Sequence, residues 1–324
     1  MASNRRIPSL GLLNPGSDSD YGVSDGAWLR VDWREHQRWV EVDGRQVNYV
    51  EMGSGPVLLL VHGLGAAWQC WVENLPEFAR DHRVIAMDLP GFGFSEMPEG
   101  DISIEYYGQW LGRFADALGV ECAAVVGNSM GGFIAAEVAI RRPDLVERLS
   151  LVSAAIFWQE NRRAQPLVTF ARVTDAYIGR AIAASSDVVA RRPHLRAPAL
   201  VSAGIRYPHR LPPQLAAELV RSARRTDGFL PALEALAQFP LREELPKISC
   251  PTLVIWGAHD HLVGVRDAAK MEESIPDARR VVFGRTGHVP MVERPQRFNR
   301  LLREFLEEGS PAGEPVEGAA APTA

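Results

Sequence analysis

Cysteine is scarce in this chain, and its spacing excludes a common class of metal site. Only three cysteines occur among the 324 residues: Cys70, Cys122 and Cys250. They are far apart, so no C-x-x-C pair or other zinc-ligand pattern exists, and we expect no bound metal. An odd, sparse count predicts reduced and mostly buried thiols, as in a cytoplasmic protein. A secreted enzyme without disulfides would have the same count, so secretion stays open.

Long apolar runs and a strong excess of positive charge are also lacking. No run approaches the roughly 18 apolar residues that a membrane-spanning helix needs. A short apolar stretch near the N-terminus is interrupted by Pro8, Gly11 and Pro15, which argues against a signal peptide. The net charge of -5 gives no reason to expect a nucleic-acid partner.

Apolar runs of strand length alternate with segments of helical spacing over most of the chain. Residues 39–53 alternate around an Asp-Gly pair, which predicts a β-hairpin. Further strands are predicted at 56–63, 83–91, 123–129, 148–155, 252–260 and 279–288. Helices are predicted at 68–80, 103–119, 131–143, 266–275 and 294–309. Buried strands that alternate with helices predict an α/β fold with a mostly parallel sheet and helices on both faces.

Three segments depart from this alternation. Residues 1–36 are rich in Ser, Asp, Gly and Asn, and we expect a flexible N-terminal arm. Residues 157–247 contain helical fragments and several prolines but no buried-strand run, which predicts an inserted helical cap. Residues 309–324 are of low complexity and predict a disordered tail. The core is then formed by 37–156 and 248–308.

The sequence Gly-Asn-Ser-Met-Gly-Gly at 127–132 directly follows a predicted buried strand and opens a predicted helix. A serine in this position lies on a tight turn that projects its hydroxyl above the carboxyl edge of the sheet. The N-terminus of the helix points at the same place and favours developing negative charge. We therefore interpret Ser129 as a nucleophile. A glycine-rich helix start without chemistry is the alternative.

A serine nucleophile needs a base, and the base needs an acid that orients it. Asp260 follows the predicted strand at 252–260, and His288 follows the last predicted strand, in the expected order of serine, acid and histidine. All three residues lie at carboxyl ends of strands, where catalytic groups of open α/β sheets collect. An acid after the strand at 148–155 would be the competitor, but no carboxylate precedes Glu160 there. His259 is interpreted as a loop residue, as is His261.

Two backbone N–H groups are expected to stabilise an oxyanion. One belongs to Met130, directly after the nucleophile, and the other to Leu64, in the glycine-lined turn of His-Gly-Leu-Gly at 62–65. His62 is interpreted as structural. Four residues are assigned to a substrate pocket, with core packing as the alternative for the two phenylalanines: Phe92, Phe94, Trp68 and Val289.

Five motifs together resemble the α/β-hydrolase superfamily over roughly residues 38–308: HGLG, DLPGFGFS, GNSMGG, WGAHD and GHVPMVERP. The resemblance implies an eight-stranded, mostly parallel sheet with a cap inserted after the sixth strand. It also implies a triad of Ser129, His288 and Asp260 that works without a metal or organic cofactor. Ser129 argues against the members of this superfamily that use an aspartate nucleophile.

The GNSMGG motif is similar to that of serine esterases and monoacylglycerol-type lipases, and also to that of carbon–carbon bond hydrolases that act on ring-cleavage products. The carbon–carbon hydrolases usually have a Ser-Gly-Pro-Gly-rich oxyanion loop and an aromatic residue after the catalytic histidine. This chain has HGLGAAWQCW in that loop, and Val289 follows His288. We therefore favour an ester-cleaving hydrolase, with a carbon–carbon hydrolase of a dienoic keto acid as the alternative. A non-catalytic ligand-binding protein of this fold is a third hypothesis.

The predicted cap differs in charge from the rest of the chain. Residues 157–247 contain 14 Lys and Arg against 8 Asp and Glu, a net charge of +6, whereas the whole chain has -5, which leaves -11 for the remainder. A solvated helical surface would account for this difference. The alternative hypothesis is that the basic cap attracts anionic substrates or contacts an anionic lipid surface through apolar residues such as those at 166–184.

Overall fold

The computed structural model describes residues 18–157, 185–223 and 227–308. Their strands form one eight-stranded sheet in the order β1-β2-β4-β3-β5-β6-β7-β8. The strands are β1 (Gln37–Val42), β2 (Arg45–Met52), β3 (Val57–Val61), β4 (Arg83–Met87), β5 (Ala123–Asn128), β6 (Val146–Val152), β7 (Thr252–Gly257) and β8 (Ala278–Phe283). Pairing is antiparallel between β1 and β2 and between β2 and β4, and parallel elsewhere. The predicted mostly parallel sheet is confirmed.

The α-helices of the described residues are numbered in chain order. They are α1 (Trp33–His36), α2 (Leu75–Phe78), α3 (Ile104–Ala117), α4 (Met130–Arg141), α5 (Ser186–Arg191), α6 (Pro193–Ser202), α7 (Pro213–Ser222), α8 (Phe229–Gln238), α9 (Arg266–Ser274), α10 (Pro290–Glu293) and α11 (Pro295–Glu307). Short 3-10 helices are Asp18–Asp20, Ala27–Arg30, Trp68–Trp71, Pro208–Arg210 and Arg242–Lys247. The helix predicted over 68–80 is therefore divided into a 3-10 turn and the short α2.

The apolar strands are buried on both faces, which explains their continuous apolar sequences. In β3, Leu58 and Leu60 belong to one buried cluster, whereas Leu59 and Val61 belong to the other. The first of these clusters includes α2 and α11, and the second includes α3, α4 and α9. Because strand side chains alternate between faces, a strand covered on both sides needs an apolar residue at every position.

The order in which strands are added to the sheet changes direction at β3, because β4 is added on one side of it and β5 on the other. This strand pairs with β4 on one side and with β5 on the other. The connections that leave β3 and β5 therefore emerge side by side at the carboxyl edge. Open α/β sheets form their ligand crevice at such a switch point.

The Asp-Gly pair predicted to form the hairpin turn does so between β1 and β2. Asp43 has φ 53° and Gly44 has φ 71°. Positive φ at both central residues is the geometry that matches the twist of two-residue hairpins.

The described part of the cap, 185–223 and 227–247, lies between β6 and β7 and contains α5 to α8. It contains no strand among those residues. The apolar segment at 166–184 that the sequence analysis assigned to the cap lies outside the described residues, as does the predicted tail at 309–324.

The predicted flexibility of residues 1–36 is wrong for residues 18–36. Tyr21 is 3% exposed and Trp28 is 7% exposed, and both belong to the cluster that contains α2 and α11. These large aromatic side chains bury enough apolar surface to hold a segment whose average composition is polar. We call residues 18–36 the arm. Residues 1–17 lie outside the described part of the chain.

Within the described ranges, no helix has the length and apolar character needed to cross a membrane. The three cysteines are free; Cys70 and Cys250 are buried, whereas Cys122 is exposed.

Candidate active site

Ser129 occupies a strained turn between β5 and α4. Its φ is 57° and its ψ is -116°, a conformation that non-glycine residues rarely adopt and that often marks functional sites. A Cβ on Gly127 would lie 2.1 Å from the Gly131 oxygen, and a Cβ on Gly131 would lie 2.3 Å from the Val61 oxygen. Gly127 is therefore required where β5 approaches α4, and Gly131 is required where α4 approaches the end of β3.

His288 and Asp260 form a buried pair at the carboxyl ends of β8 and β7. His288 Nδ1 lies 2.7 Å from Asp260 Oδ2. The other carboxylate oxygen of Asp260 accepts the N–H groups of Leu262 at 2.9 Å and Val263 at 3.0 Å. Because a carboxylate only accepts, His288 donates through Nδ1, and its Nε2 is left to accept a proton. This is the arrangement of a general base held by an acid.

Asn128, which precedes Ser129 and belongs to no predicted site, links this turn to His288. Its Nδ2 donates to the carbonyl oxygens of Val152 at 3.1 Å and His288 at 3.2 Å. Ser129 and His288 are both described, and no hydrogen bond joins Ser129 Oγ to the imidazole in this state. Catalytic hydrogen bonds of ligand-free enzymes are often long and shorten when the substrate is bound.

The loop after β3 lies against the nucleophile. A Cβ on Gly63 would lie 3.1 Å from Ser129 Cβ. Leu64 is the next residue along this loop and therefore lies near the Ser129 turn. Met130 is the first residue of α4, and the first N–H groups of a helix have no acceptor within it. Met130 and Leu64 are the two residues expected to donate to an oxyanion. Met130 follows Ser129 in the chain, and Leu64 lies on the neighbouring loop after β3.

His62 fixes this loop. Its Nε2 accepts the N–H of Leu89 at 2.9 Å, so Nδ1 donates to the Gly63 oxygen at 2.8 Å. Burial lowers the pKa of His62 to about 4, which keeps the imidazole neutral near pH 7. A neutral histidine with both nitrogens engaged is a structural residue.

The four residues assigned to a substrate pocket have different surroundings. Phe92 is fully buried and packs edge-on against the His62 ring, with 5.6 Å between centroids, which favours the packing role. Trp68 is 5% exposed and contacts Trp33. Phe94 is 44% exposed, and Val289 is half-buried beside His288.

Asp88 explains the conformation of the loop that carries Phe92 and Phe94. Its carboxylate oxygens accept the N–H groups of Trp68 and Phe94, each at 2.9 Å. Burial raises the pKa of Asp88 to about 7, and these two hydrogen bonds act in the opposite direction. The carboxyl group therefore connects the loop after β4 to the 3-10 helix at Trp68.

The cap reaches the histidine directly through Gly204. The Gly204 oxygen accepts the His288 N–H at 2.9 Å. Gly204 has φ +91°, and a Cβ there would lie 2.3 Å from His288 Cβ. His261 also contacts the cap, since its Nε2 lies 3.0 Å from the Val201 oxygen. No local sequence pattern predicts this contact, because the residues that meet lie far apart in the chain.

Glu293 holds the backbone on both sides of the histidine. Its carboxylate accepts the Gly287 N–H at 2.9 Å and the Val289 N–H at 3.3 Å. Glu293 is fully buried, and burial raises the pKa of its carboxyl group. The GHVPMVERP motif contains this residue, but the motif alone did not indicate the contact.

The described residues contain no group of three or more His, Cys, Asp or Glu side chains arranged to hold a metal ion. A strained serine at a helix N-terminus, a buried carboxylate at His288 Nδ1 and an Nε2 without a hydrogen-bond partner among the described residues are the groups that covalent catalysis by a serine requires.

Comparison with known proteins agrees with the fold. The family model described as alpha/beta hydrolase fold matches residues 56–295. The chain is 30% identical over 316 residues to the dihydrolipoyllysine-residue acetyltransferase component of an acetoin cleaving system of Cupriavidus necator, covering 92% of this chain and 78% of that protein. It is 31% identical to the 2-hydroxymuconate semialdehyde hydrolase of a Pseudomonas species, covering 83% and 93%.

Among solved structures, a membrane phospholipase A described as a bacterial virulence factor superposes with a TM-score of 0.65. It is 32% identical in sequence, and the match covers 84% of this chain and 85% of that one.

A Gly204→Ala substitution tests whether the cap positions the histidine. Because the new Cβ would overlap His288 and alanine disfavours φ +91°, we expect Ser129 to react with a fluorophosphonate about 100-fold more slowly. Gly264→Ala is the control, since a Cβ at Gly264 meets nothing within 4 Å. Equal labelling rates in the two variants would contradict this role of the cap.

Proposed function

Because the chain belongs to the α/β-hydrolase family, we propose that it is a serine hydrolase that cleaves a carboxylic ester through an acyl-enzyme on Ser129. The observation that carries this proposal is the strained Ser129 turn, which lies at the carboxyl edge with the His288–Asp260 pair. A serine held at positive φ between two glycines that close approach requires is typical of a hydroxyl presented for reaction at the end of a strand.

In the first half-reaction, His288 Nε2 takes the hydroxyl proton as Ser129 Oγ attacks the ester carbonyl carbon. The carbonyl π bond becomes an oxyanion, which accepts hydrogen bonds from the N–H groups of Leu64 and Met130. Asp260 stabilises the imidazolium that forms. Collapse of the tetrahedral intermediate breaks the bond to the alkoxy oxygen, and the imidazolium returns its proton to the leaving alcohol.

In the second half-reaction, water takes the place of the alcohol. His288 removes one proton from the water, and the resulting oxygen nucleophile attacks the acyl carbon on Ser129. The second tetrahedral intermediate collapses with return of the proton to Ser129 Oγ, and the carboxylic acid leaves. Both half-reactions use the same pair of N–H donors to stabilise the oxyanion, and His288 is the group that transfers every proton.

Ester cleavage is favoured over carbon–carbon cleavage by the loop after β3 and by Val289. The loop HGLGAAWQCW lacks the Ser-Gly-Pro-Gly pattern of carbon–carbon hydrolases, and an aliphatic residue follows His288. The similarity to a solved phospholipase A is consistent with an ester substrate. The similarity to a 2-hydroxymuconate semialdehyde hydrolase and the basic cap, which suits an anionic keto acid, keep carbon–carbon hydrolysis as the second candidate.

Hydrolysis of p-nitrophenyl esters from acetate to palmitate tests the proposal. We expect turnover by the wild type and a loss of at least about 1,000-fold in Ser129→Ala, because the attacking oxygen is removed. The chain-length optimum separates a small-ester esterase from a lipase. A folded wild type that hydrolyses none of these esters but cleaves a dienoic keto acid would establish the second candidate. Failure of a fluorophosphonate to label Ser129 would favour a non-catalytic binding protein.

The charge and exposure of the cap support a further part of the proposal, contact with an anionic lipid surface. Val188, Leu195 and Val201, on α5 and α6, are 49%, 38% and 45% exposed. Arg191 and Arg192 lie between them in sequence and are also exposed. Apolar side chains beside arginines are suited to the boundary between lipid headgroups and acyl chains.

Activity on an ester dispersed in anionic or neutral vesicles, each at two salt concentrations, tests this contact. We expect higher activity on the anionic vesicles at low salt and loss of that advantage at high salt, because salt screens exposed charges. Arg191→Gln should reduce the advantage, whereas Arg113→Gln, on the opposite face of the sheet, should not. Equal activity on both kinds of vesicle would refute the contact.

A further inference from the structure

The arm is attached to the molecule next to the catalytic histidine. The Tyr21 hydroxyl donates to Glu293 Oε2 at 2.6 Å and accepts the Tyr207 N–H at 2.9 Å. The next residue, Gly22, donates its N–H to the Glu293 carbonyl oxygen at 2.8 Å. We call residues 284–289, between β8 and α10, the histidine loop. The Tyr21 hydroxyl therefore joins the cap to the Glu293 carboxyl group, which holds this loop.

Glu293 is the centre of this connection. Besides Tyr21 and the N–H groups of the histidine loop, its Oε2 accepts the Arg206 N–H of the cap at 3.0 Å. One buried carboxylate thus joins the arm, the cap and the loop that carries His288. Hydrogen bonds to a buried charge are stronger than those between neutral groups, so each partner restrains the other two.

A second contact attaches the arm to the same loop through a buried cation. Arg294 is fully buried and forms an ion pair with Asp20 of the arm. Its Nε donates to Thr286 Oγ1 at 2.8 Å, and its guanidinium lies 5.5 Å from the centroid of the Tyr21 ring. The arm is therefore linked to the histidine loop in two ways, through Arg294 to Thr286 and through Glu293 to Gly287 and Val289.

We propose that Tyr21 is a positioning residue for His288, which makes the arm a part of the catalytic unit. Without its hydroxyl, the buried Glu293 loses one hydrogen bond and the partly buried Tyr207 N–H loses its acceptor. The restraint on Gly287 and Val289 then weakens, and His288 moves relative to Ser129. The proposal rests on the proposed hydrolase mechanism, in which a displacement of the base slows the proton transfers.

The protonation of Glu293 gives this role a pH dependence. Burial raises the pKa of its carboxyl group, and the Tyr21 hydroxyl is the first of the hydrogen bonds that lower it. Loss of the hydroxyl therefore raises the pKa further, so the carboxyl group takes up a proton at higher pH than in the wild type. A protonated Glu293 accepts less well, and the histidine loop loosens as the pH falls. Of the charged and titratable groups near Glu293, Tyr21 donates to its carboxylate, and Arg210 of the cap and Arg294 lie 5.3 and 5.5 Å from the centroid of the Tyr21 ring. Asp20 of the arm pairs with Arg294, Arg206 of the cap contributes its backbone N–H, and His288 lies between the two residues whose N–H groups Glu293 accepts.

Tyr21→Phe tests the proposal, with Tyr107→Phe as the matched control. Tyr107 is also buried and also donates one hydrogen bond, to the Pro90 oxygen, but it lies in the cluster on the opposite face of the sheet. Steady-state hydrolysis of a p-nitrophenyl ester is measured between pH 5 and 8. Amide hydrogen exchange is followed in the peptide that contains Gly287 to Val289. We expect Tyr21→Phe to lower kcat about tenfold with little change in KM. We also expect its acid limb to shift to higher pH, because Glu293 loses a hydrogen bond that favours its charged form, and we expect its peptide to exchange faster.

Wild-type values of kcat, pH profile and exchange in Tyr21→Phe would overturn the proposal and leave the hydrolase function intact. A wild type inactive on every ester would contradict the proposed function, and the exchange measurement would still decide whether Tyr21 restrains the loop. If Tyr21→Phe does not fold, Asp20→Asn weakens the same attachment through Arg294. The same measurements on that variant then support or overturn the proposal.

Discussion

The tight turn at Ser129 is the constraint on which the rest of the site depends. It places the nucleophile above β5 only because Gly127 and Gly131 let the strand and α4 approach each other and the loop after β3. The same approach brings the HGLG loop against the nucleophile and directs the N-terminus of α4 at it. A single backbone conformation thus places the Ser129 hydroxyl beside the two expected oxyanion donors. It also places this hydroxyl at the N-terminus of α4, whose dipole stabilises negative charge.

The histidine is held in a different way, by contacts between segments that are distant in sequence. Asp260 orients its ring, Asn128 holds its carbonyl oxygen, and Gly204 of the cap holds its N–H. Glu293 restrains the residues on either side. The base is therefore sensitive to the cap and, in our proposal, to the arm.

Much of this arrangement could be predicted from sequence, and the rest could not for a physical reason. The strands were visible because a strand covered on both faces must be apolar throughout, as β3 is, and Asp43-Gly44 has few alternatives to a hairpin turn. Ser129, Asp260 and His288 could be predicted to lie at one edge of the sheet because their motifs follow predicted strands, and their catalytic roles stay predictions. The packing of Tyr21 was missed, since one aromatic side chain outweighs a polar local composition. Gly204 was missed because its requirement arises from His288, which no local pattern connects to it.

The most direct test of the central claim is to detect the acyl-enzyme. The protein is mixed with a p-nitrophenyl ester, quenched with acid during the burst of p-nitrophenolate, and digested for mass spectrometry. We expect the peptide containing Ser129 to gain the mass of the acyl group, because the activated ester makes deacylation the slow step. A burst without an adduct, or an adduct on any other residue, would contradict the mechanism.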